Sequence, residues 1–302
     1  MVTKAISPFN FFLMLALITF WGSSFVVVKL LLIEGLSPVG IATFRFLAAG
    51  GLFLTALLVK KSANREYRLL VVGRDLPALL ILALTGVTFF FTIQYTGIKM
   101  AGASIAAILV CLLSPILITL FSAKIFKEHL TKKQVIGIGI AAAGTFTVIV
   151  NGSPNFLGNT EFFLGSLLLL STPILWATYT LLGKKIMEKY DAFLIVAYVT
   201  VLGGLCLVPF SLTENSFYQI FSMSLYEWLA ILYLAVTCSL VGYYIWFYVL
   251  KKVDAAVTSS FLFVEPLITG VFAVSFVGEK LNLFILAGGL LIFVGLYLVT
   301  RK

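Results

Sequence analysis

Charged side chains are scarce in this chain, which contains 11% Asp, Glu, Lys and Arg where a soluble domain has about 25%. It has a single histidine, His129, and its cysteines, Cys111, Cys206 and Cys238, lie far apart in apolar segments. This scarcity argues against a disulfide framework and against a His/Cys metal site, so no metal and no cofactor are expected.

Several catalytic signatures are also absent from the sequence. It has no phosphate-binding loop of the Walker type, which excludes primary ATP-driven transport by this chain alone. It has no nucleophile elbow and no paired acidic motif in a loop, and these absences argue against an intramembrane enzyme.

Apolar residues dominate instead. They make up 61% of the 302 residues, and the mean hydropathy is +1.13. Runs of about 20 apolar residues, each long enough to cross a bilayer as a helix, recur ten times. They cover 11–33, 38–59, 76–97, 103–123, 134–150, 162–183, 192–211, 227–249, 255–276 and 283–300. The sequence therefore predicts an all-α integral membrane protein with ten transmembrane helices.

The positive charges follow the predicted loops. With the N-terminus inside, 17 of the 21 Lys and Arg residues fall in inner segments and two, Lys99 and Lys280, fall in outer loops. This bias predicts a multi-pass protein of the cytoplasmic membrane with both termini cytoplasmic. It also explains the net charge of +9 as a signal of topology, so membrane lipid is an expected partner and nucleic acid is not.

The chain contains an internal repeat. At an offset of 151 residues, Ser114-Pro115 aligns with Glu265-Pro266, and Glu128-His129-Leu130 aligns with Glu279-Lys280-Leu281. The same offset aligns Gly137 with Gly288 and Gly144 with Gly295.

This register divides the chain into two five-helix halves, 1–150 and 162–302, joined by an outer linker at 151–161. Because five is odd, the second half must enter the membrane inverted. Equivalent loops do carry opposite charge bias, with five positive residues after the second helix and none after the seventh. Inverted repeats are typical of secondary transporters, which move substrates by alternating access.

Several motifs together resemble one known family. They are Phe20-Trp21-Gly22-Ser23-Ser24-Phe25, Arg45-Phe46, Ser114-Pro115, Glu265-Pro266 and Gly278-Glu279-Lys280-Leu281, with the paired glycines that end each half. In their order and duplication they resemble the EamA type of the drug/metabolite transporter superfamily. The resemblance implies ten helices, cytoplasmic termini, a central cavity and transport of small metabolites, most often export of amino acids or related compounds. Ser114 stands where an acidic residue would match Glu265.

Glu265 is the carboxylate expected at the bilayer centre, where an ionised group costs about 2.5–3.5 kcal/mol. One interpretation is that it binds a proton, an ammonium group or a substrate hydroxyl. The other is that it is a neutral carboxyl group that serves the backbone carbonyl freed by Pro266. Thr258 and Thr269 share its helical face.

Arg45 and Lys29 are the remaining charges within predicted spans. Arg45 is expected either to hold a substrate carboxylate or close an outer gate with Glu34, or to pair with a carbonyl at a helix end. Lys29 is expected to extend to the outer interface, since its four-carbon stem can reach the headgroups.

Polar and aromatic residues recur on single faces of the third and sixth predicted helices, and they serve either as cavity lining or as hydrogen bonds between helices. The predicted substrate cavity comprises Trp21, Ser24, Gln94, Tyr95, Trp176, Tyr179, Trp246 and Glu265. The sequence leaves a secondary transporter and a passive facilitator of the same fold as alternatives, with an intramembrane enzyme disfavoured.

Overall fold

A computed structural model describes residues 7–67, 69–125, 132–150, 159–253 and 255–300, and these ranges are helical apart from turns and short connections. The helices are α1 (Pro8–Ile33), α2 (Pro38–Ala63), α3 (Gly73–Ala101), α4 (Ala103–Ile125), α5 (Lys132–Val150), α6 (Thr160–Ile186), α7 (Ala192–Thr213), α8 (Leu225–Leu250), α9 (Val257–Val277) and α10 (Leu283–Thr300).

Eight of these helices are long and apolar enough to cross a membrane. The other two, α5 and α10, contain shorter apolar stretches, Val135–Ile149 and Leu283–Leu298. The structure thus describes an all-helical, multi-pass membrane protein. His129 and most of the 151–161 linker lie outside the described residues.

Local sequence fixes where several helices begin. The Ser7 hydroxyl accepts a hydrogen bond from the Asn10 amide at the start of α1, and Ser37 accepts one from Gly40 at the start of α2. In both helices a proline occupies the first position, where its missing N–H costs nothing. These caps satisfy amide groups that the helix itself leaves free.

Three helices depart from α geometry over part of their length. Leu84–Thr88 in α3, Leu234–Val241 in α8 and Ala273–Val277 in α9 are π-helical. The wider turns free carbonyl groups for other helices: the Trp21 indole donates to the Cys238 carbonyl at 2.9 Å. Such π segments often mark functional sites.

Glycines allow α5 and α10 to pack backbone to backbone. A Cβ atom on Gly144 would lie 2.6 Å from the Gly288 carbonyl oxygen, and one on Gly295 would lie 2.4 Å from the Gly137 carbonyl oxygen. The paired glycines of the repeat therefore serve close helix packing. Elsewhere α2 packs along α7, and α6 packs on α3 and α4.

Ionic contacts hold the end of the bundle where α2 stops and α7 begins. Lys60 contacts Asp191 at 3.0 Å, and the Tyr67 hydroxyl donates to the same carboxylate at 2.7 Å. Partial burial would raise the pKa of Asp191, but these two hydrogen bonds outweigh it and leave the pKa below its usual range.

Candidate substrate cavity

A cavity of about 40 Å³ lies near the middle of the bundle. Seven helices, α1, α2, α3, α4, α6, α8 and α9, contribute to its wall. Its lining comprises Trp21, Ser24, Phe25, Arg45, Phe90, Phe91, Gln94, Val110, Cys111, Ser114, Trp176, Tyr243, Leu262 and Glu265.

Aromatic rings form much of the wall. The Trp21 ring centroid lies 5.5 Å from that of Trp176 and 5.9 Å from that of Tyr243. The ring centroids of Phe90 and Trp176 are 5.3 Å apart. These distances are typical of aromatic pairs, so the rings support one another and present a rigid apolar surface.

Three of the predicted cavity residues lie one layer behind this wall. Trp246 is fully buried with its ring centroid 5.4 Å from both Trp21 and Trp176, and Tyr179 lies 5.3 Å from Trp176. Tyr95 is buried as well and contacts Arg45. Trp21, Ser24, Gln94, Trp176 and Glu265 line the cavity directly.

Arg45 places a cationic group in the cavity wall. Its Nε donates to the Ser239 hydroxyl at 2.8 Å and its Nη1 donates to the Tyr95 hydroxyl at 2.5 Å. Its guanidinium carbon also lies 4.6 Å from the Phe91 ring centroid and 5.0 Å from that of Phe46. All four neighbours are uncharged.

Arg45 therefore has no ionic partner in this part of the chain. Among the described residues, no carboxylate oxygen lies within 4.0 Å of its nitrogen atoms, although the residue is 2% exposed. In this conformation Arg45 contacts neither Glu34 nor a helix-end carbonyl among the described residues, so those roles stay predictions. A buried cation is costly unless something pairs with it, so the site is suited to an anionic group.

Glu265 places a carboxyl group in the same cavity. It begins the α-helical part of α9 that follows a 3₁₀ turn, with Pro266 in the first helical turn. Glu265 is 3% exposed, and its Oε2 atom has no hydrogen-bond partner in the described structure. From α4, Cys111 and Ser114 contribute to the same wall.

A second polar atom in the wall also lacks a hydrogen-bond partner among the described residues. The Trp176 indole N–H is buried, and no acceptor is within reach among the described residues. Buried polar groups are nearly always paired, so two unpaired atoms in one cavity suggest that a bound molecule pairs with them.

Lys29 lies away from the cavity. Its ammonium group donates to the carbonyls of Ile98 and Lys99, both at 3.3 Å, at the C-terminal end of α3. Lys29 thus reaches the end of α3 that carries Lys99, and its extension to the headgroups stays a prediction. A cation at this position complements the negative end of the helix dipole.

Sequence reasoning missed several wall residues. Tyr243 precedes Trp246 by three positions, so helical spacing could have placed both on one face. Phe90, Phe91 and Leu262 belong to apolar runs that carry no signal separating cavity lining from ordinary packing. Cys111 could have been found as the residue one turn before Ser114-Pro115.

The fold is that of a multi-pass membrane protein with an internal cavity, and comparison with known proteins identifies its family. The model of the EamA-like transporter family matches residues 9–150 and again residues 163–301. The chain belongs to this family.

The relatives that match over nearly the full length of the chain include the following two proteins. An Archaeoglobus fulgidus protein, named an uncharacterized transporter, is 31% identical over 282 residues, covering 93% of this chain and 94% of its own. A Salmonella typhimurium protein, named a probable amino-acid metabolite efflux pump, is 27% identical over 297 residues. The match covers 95% of this chain and 93% of that protein. A crystal structure with 19% sequence identity, a TM-score of 0.65 and 96% coverage of each chain shares the fold.

Proposed function

We propose that this protein is a secondary transporter that moves an amino acid or a related amphipathic metabolite across the cytoplasmic membrane. Transport proceeds by alternating access through the central cavity, and export is the proposed direction. The observation that carries the proposal is the presence of Arg45 and Glu265 in one cavity, without an ionic partner for either among the described residues.

The two groups suit the two ends of a zwitterion. The guanidinium of Arg45 is held by Tyr95 and Ser239, which leaves further N–H donors for a carboxylate in the planar geometry that arginine favours. Glu265 can accept from a substrate ammonium group through Oε2. The aromatic wall would contact the substrate's apolar part.

The separation of these groups also supports a ligand between them. They do not form an ion pair at 4.0 Å or less, yet both line one cavity. A molecule that brings its own opposite charges can therefore pair with both at once. The name of the Salmonella typhimurium relative supports amino-acid metabolites and export.

Alternating access rests on the proposed arrangement of ten membrane helices in two inverted halves, 1–150 and 162–302. The family model matches each half separately, and the loop charges of the two halves have opposite bias. The same charges favour cytoplasmic termini. Exposed apolar side chains such as Leu267 and Leu290 support membrane lipid as the surrounding partner.

The proton is the proposed coupling partner because Glu265 is a buried carboxyl group at mid-helix. Protonation removes the charge that disfavours a closed, dry cavity, so it can be linked to the conformational cycle. A passive facilitator of the same fold would carry the same substrate without this linkage. The family and the names of its relatives indicate a transporter and not an enzyme.

The test is transport by purified protein in proteoliposomes, first by counterflow with a panel of labelled amino acids, their amides and their decarboxylated amines. We expect counterflow with apolar amino acids and little with analogues that lack either charge. Equal transport of all three classes, or of none, would contradict the zwitterion assignment. Imposed pH gradients then separate proton coupling, which predicts gradient-driven accumulation, from facilitation, which predicts equilibration alone.

A further inference from the structure

Glu279, in the turn between α9 and α10, contacts the first residues of α4. Its Oε1 accepts from the Ala103 amide at 2.6 Å and its Oε2 accepts from the Ser104 amide at 3.0 Å. The contact joins residues about 175 positions apart, and hence joins the two halves of the chain. A carboxylate at a helix N-terminus satisfies free amides and complements the positive end of the dipole.

A second contact, made by α1, stabilises the turn at which α3 ends and α4 begins. Gly102 forms the corner with φ +99°, a conformation that favours glycine. Lys29 of α1 donates to the last carbonyls of α3, Ile98 and Lys99. An anion therefore fixes the positive end of one helix while a cation fixes the negative end of the other.

These contacts join several helices on one side of the cavity. Lys29 joins α1 to α3, and Glu279 joins α4 to the α9–α10 turn. At the level of the cavity, the Thr269 hydroxyl of α9 donates to the Gly22 carbonyl of α1 at 2.8 Å.

The Lys29 and Glu279 contacts lie beyond the cavity along the helices. Ala103 precedes the cavity residue Cys111 by eight positions, which is about 12 Å along a helix. Lys29 follows the cavity residue Phe25 by four positions, or about 6 Å. The α4 N-terminus and the α3 C-terminus therefore lie on the same side of the cavity.

We propose that Glu279 is a gating residue on the outer side, whose carboxylate must release the N-terminus of α4 before the cavity can open there. The inference rests on the proposed function, and the side is named from the distribution of loop charges. Release is reversible because water can solvate the two freed amides and the carboxylate.

Cys111 provides the reporter, because it lies in the cavity wall. In a Cys206→Ser, Cys238→Ala variant in vesicles, a membrane-impermeant thiol reagent is added from the outside and the rate of Cys111 labelling is measured. We expect Glu279→Gln to raise this rate at least about fivefold, the factor that corresponds to about 1 kcal/mol. An unchanged rate would overturn the proposal.

Glu227→Gln is the matched control. Glu227 also caps a helix, since its carboxylate accepts from the Ser224 amide at the start of α8, but this contact stays within one half. Glu227→Gln should leave the rate of Cys111 labelling unchanged. An increase equal to that of Glu279→Gln would mean that loss of any capping carboxylate loosens the protein, and this result would overturn the proposal.

A second variant keeps the test available if Glu279→Gln folds poorly. Ala103→Pro removes one donor from the other side of the contact, at the first helical position where proline is well tolerated. It should also raise the labelling rate, and failure to do so would count against the gate.

Protection of Cys111 by a transported substrate is measured on the same vesicles. An unchanged labelling rate in Glu279→Gln with protection intact would overturn the gate and leave the transport proposal standing. If a transported substrate did not protect Cys111 in the Cys206→Ser, Cys238→Ala variant, the cavity would not be the substrate site. The gate proposal would then be refuted as well.

Discussion

Replacing Arg45 tests whether the cavity binds a carboxylate. In Arg45→Met the apolar stem persists beside Phe91 and Phe46, while the charge and the donors to Tyr95 and Ser239 are lost. Removing a buried, unpaired cation also removes its desolvation cost, so we expect the variant to fold.

The expected loss of affinity follows from the buried position of the group. A bound carboxylate would lose its charged partner in a site where Arg45 is 2% exposed. Truncating one member of such a buried, hydrogen-bonded charge pair costs about 2–5 kcal/mol. At about 1.4 kcal/mol for each factor of ten, binding should weaken about 30-fold to several thousand-fold.

The assay compares an apolar amino acid with its amide on purified protein in detergent. Wild type should favour the acid strongly, and Arg45→Met should bind the acid and the amide about equally. Tyr95→Phe is the graded control, because it keeps the charge and removes one hydrogen bond that orients the guanidinium. Tyr95→Phe should weaken binding of the amino acid about fivefold, which corresponds to about 1 kcal/mol. Equal weakening for acid and amide in Arg45→Met would refute the reasoning.

Three further predictions test other parts of the account. Glu265→Gln should still bind substrate but lose the dependence of proteoliposome flux on an imposed pH gradient, and an unchanged dependence would exclude Glu265 as the proton site. Gly295→Ala should destabilise the protein by about 1–3 kcal/mol in denaturant or thermal unfolding, because a Cβ would meet the α5 backbone at 2.4 Å. The control Gly139→Ala should leave the stability unchanged, because the added atom has open space around it. Equal destabilisation by the two substitutions would refute the packing argument. The pKa of Asp191 is lower in the folded protein than its unfolded value of 3.8. Its contact with Lys60 should therefore stabilise the protein fully at pH values above 3.8, and this stabilisation should be lost as the pH falls through the folded pKa. The melting temperature of Asp191→Asn should therefore fall below that of wild type at pH 7 and approach it in acid, and a constant gap would contradict this.

Hydropathy was sufficient to place the helices, because a bilayer leaves few alternatives to helices of about 20 apolar residues. The described helices begin and end close to the predicted segments, as in α2, predicted at 38–59 and observed at Pro38–Ala63. The paired glycines also indicated close packing, since only backbone contact requires glycine at both positions of a facing pair.

The site was less accessible to sequence reasoning. Helical spacing identifies which face of a helix is buried but not how deep a side chain lies, so Trp246 and Trp21 looked equivalent although one lies behind the other. The partners of Arg45 come from positions 50 and 194 residues away. The π segments also shift helical register locally, which no hydrophobic pattern reports.

Nor did the sequence show what Glu279 contacts. The Gly278-Glu279-Lys280-Leu281 turn was noticed as a repeated motif, but the amides that its carboxylate accepts from lie at the start of a helix in the other half. Such a contact depends on tertiary packing, which spacing within one segment cannot encode.

The central claim is that transported molecules occupy the cavity between Arg45 and Glu265. The most direct measurement is the labelling rate of Cys111 in the Cys206→Ser, Cys238→Ala variant at increasing concentrations of an amino acid that the protein transports. Because Cys111 lines the same wall as both charged groups, the account predicts that the substrate slows labelling with the same half-maximal concentration as transport. A transported substrate that leaves the labelling rate unchanged at saturation would contradict it.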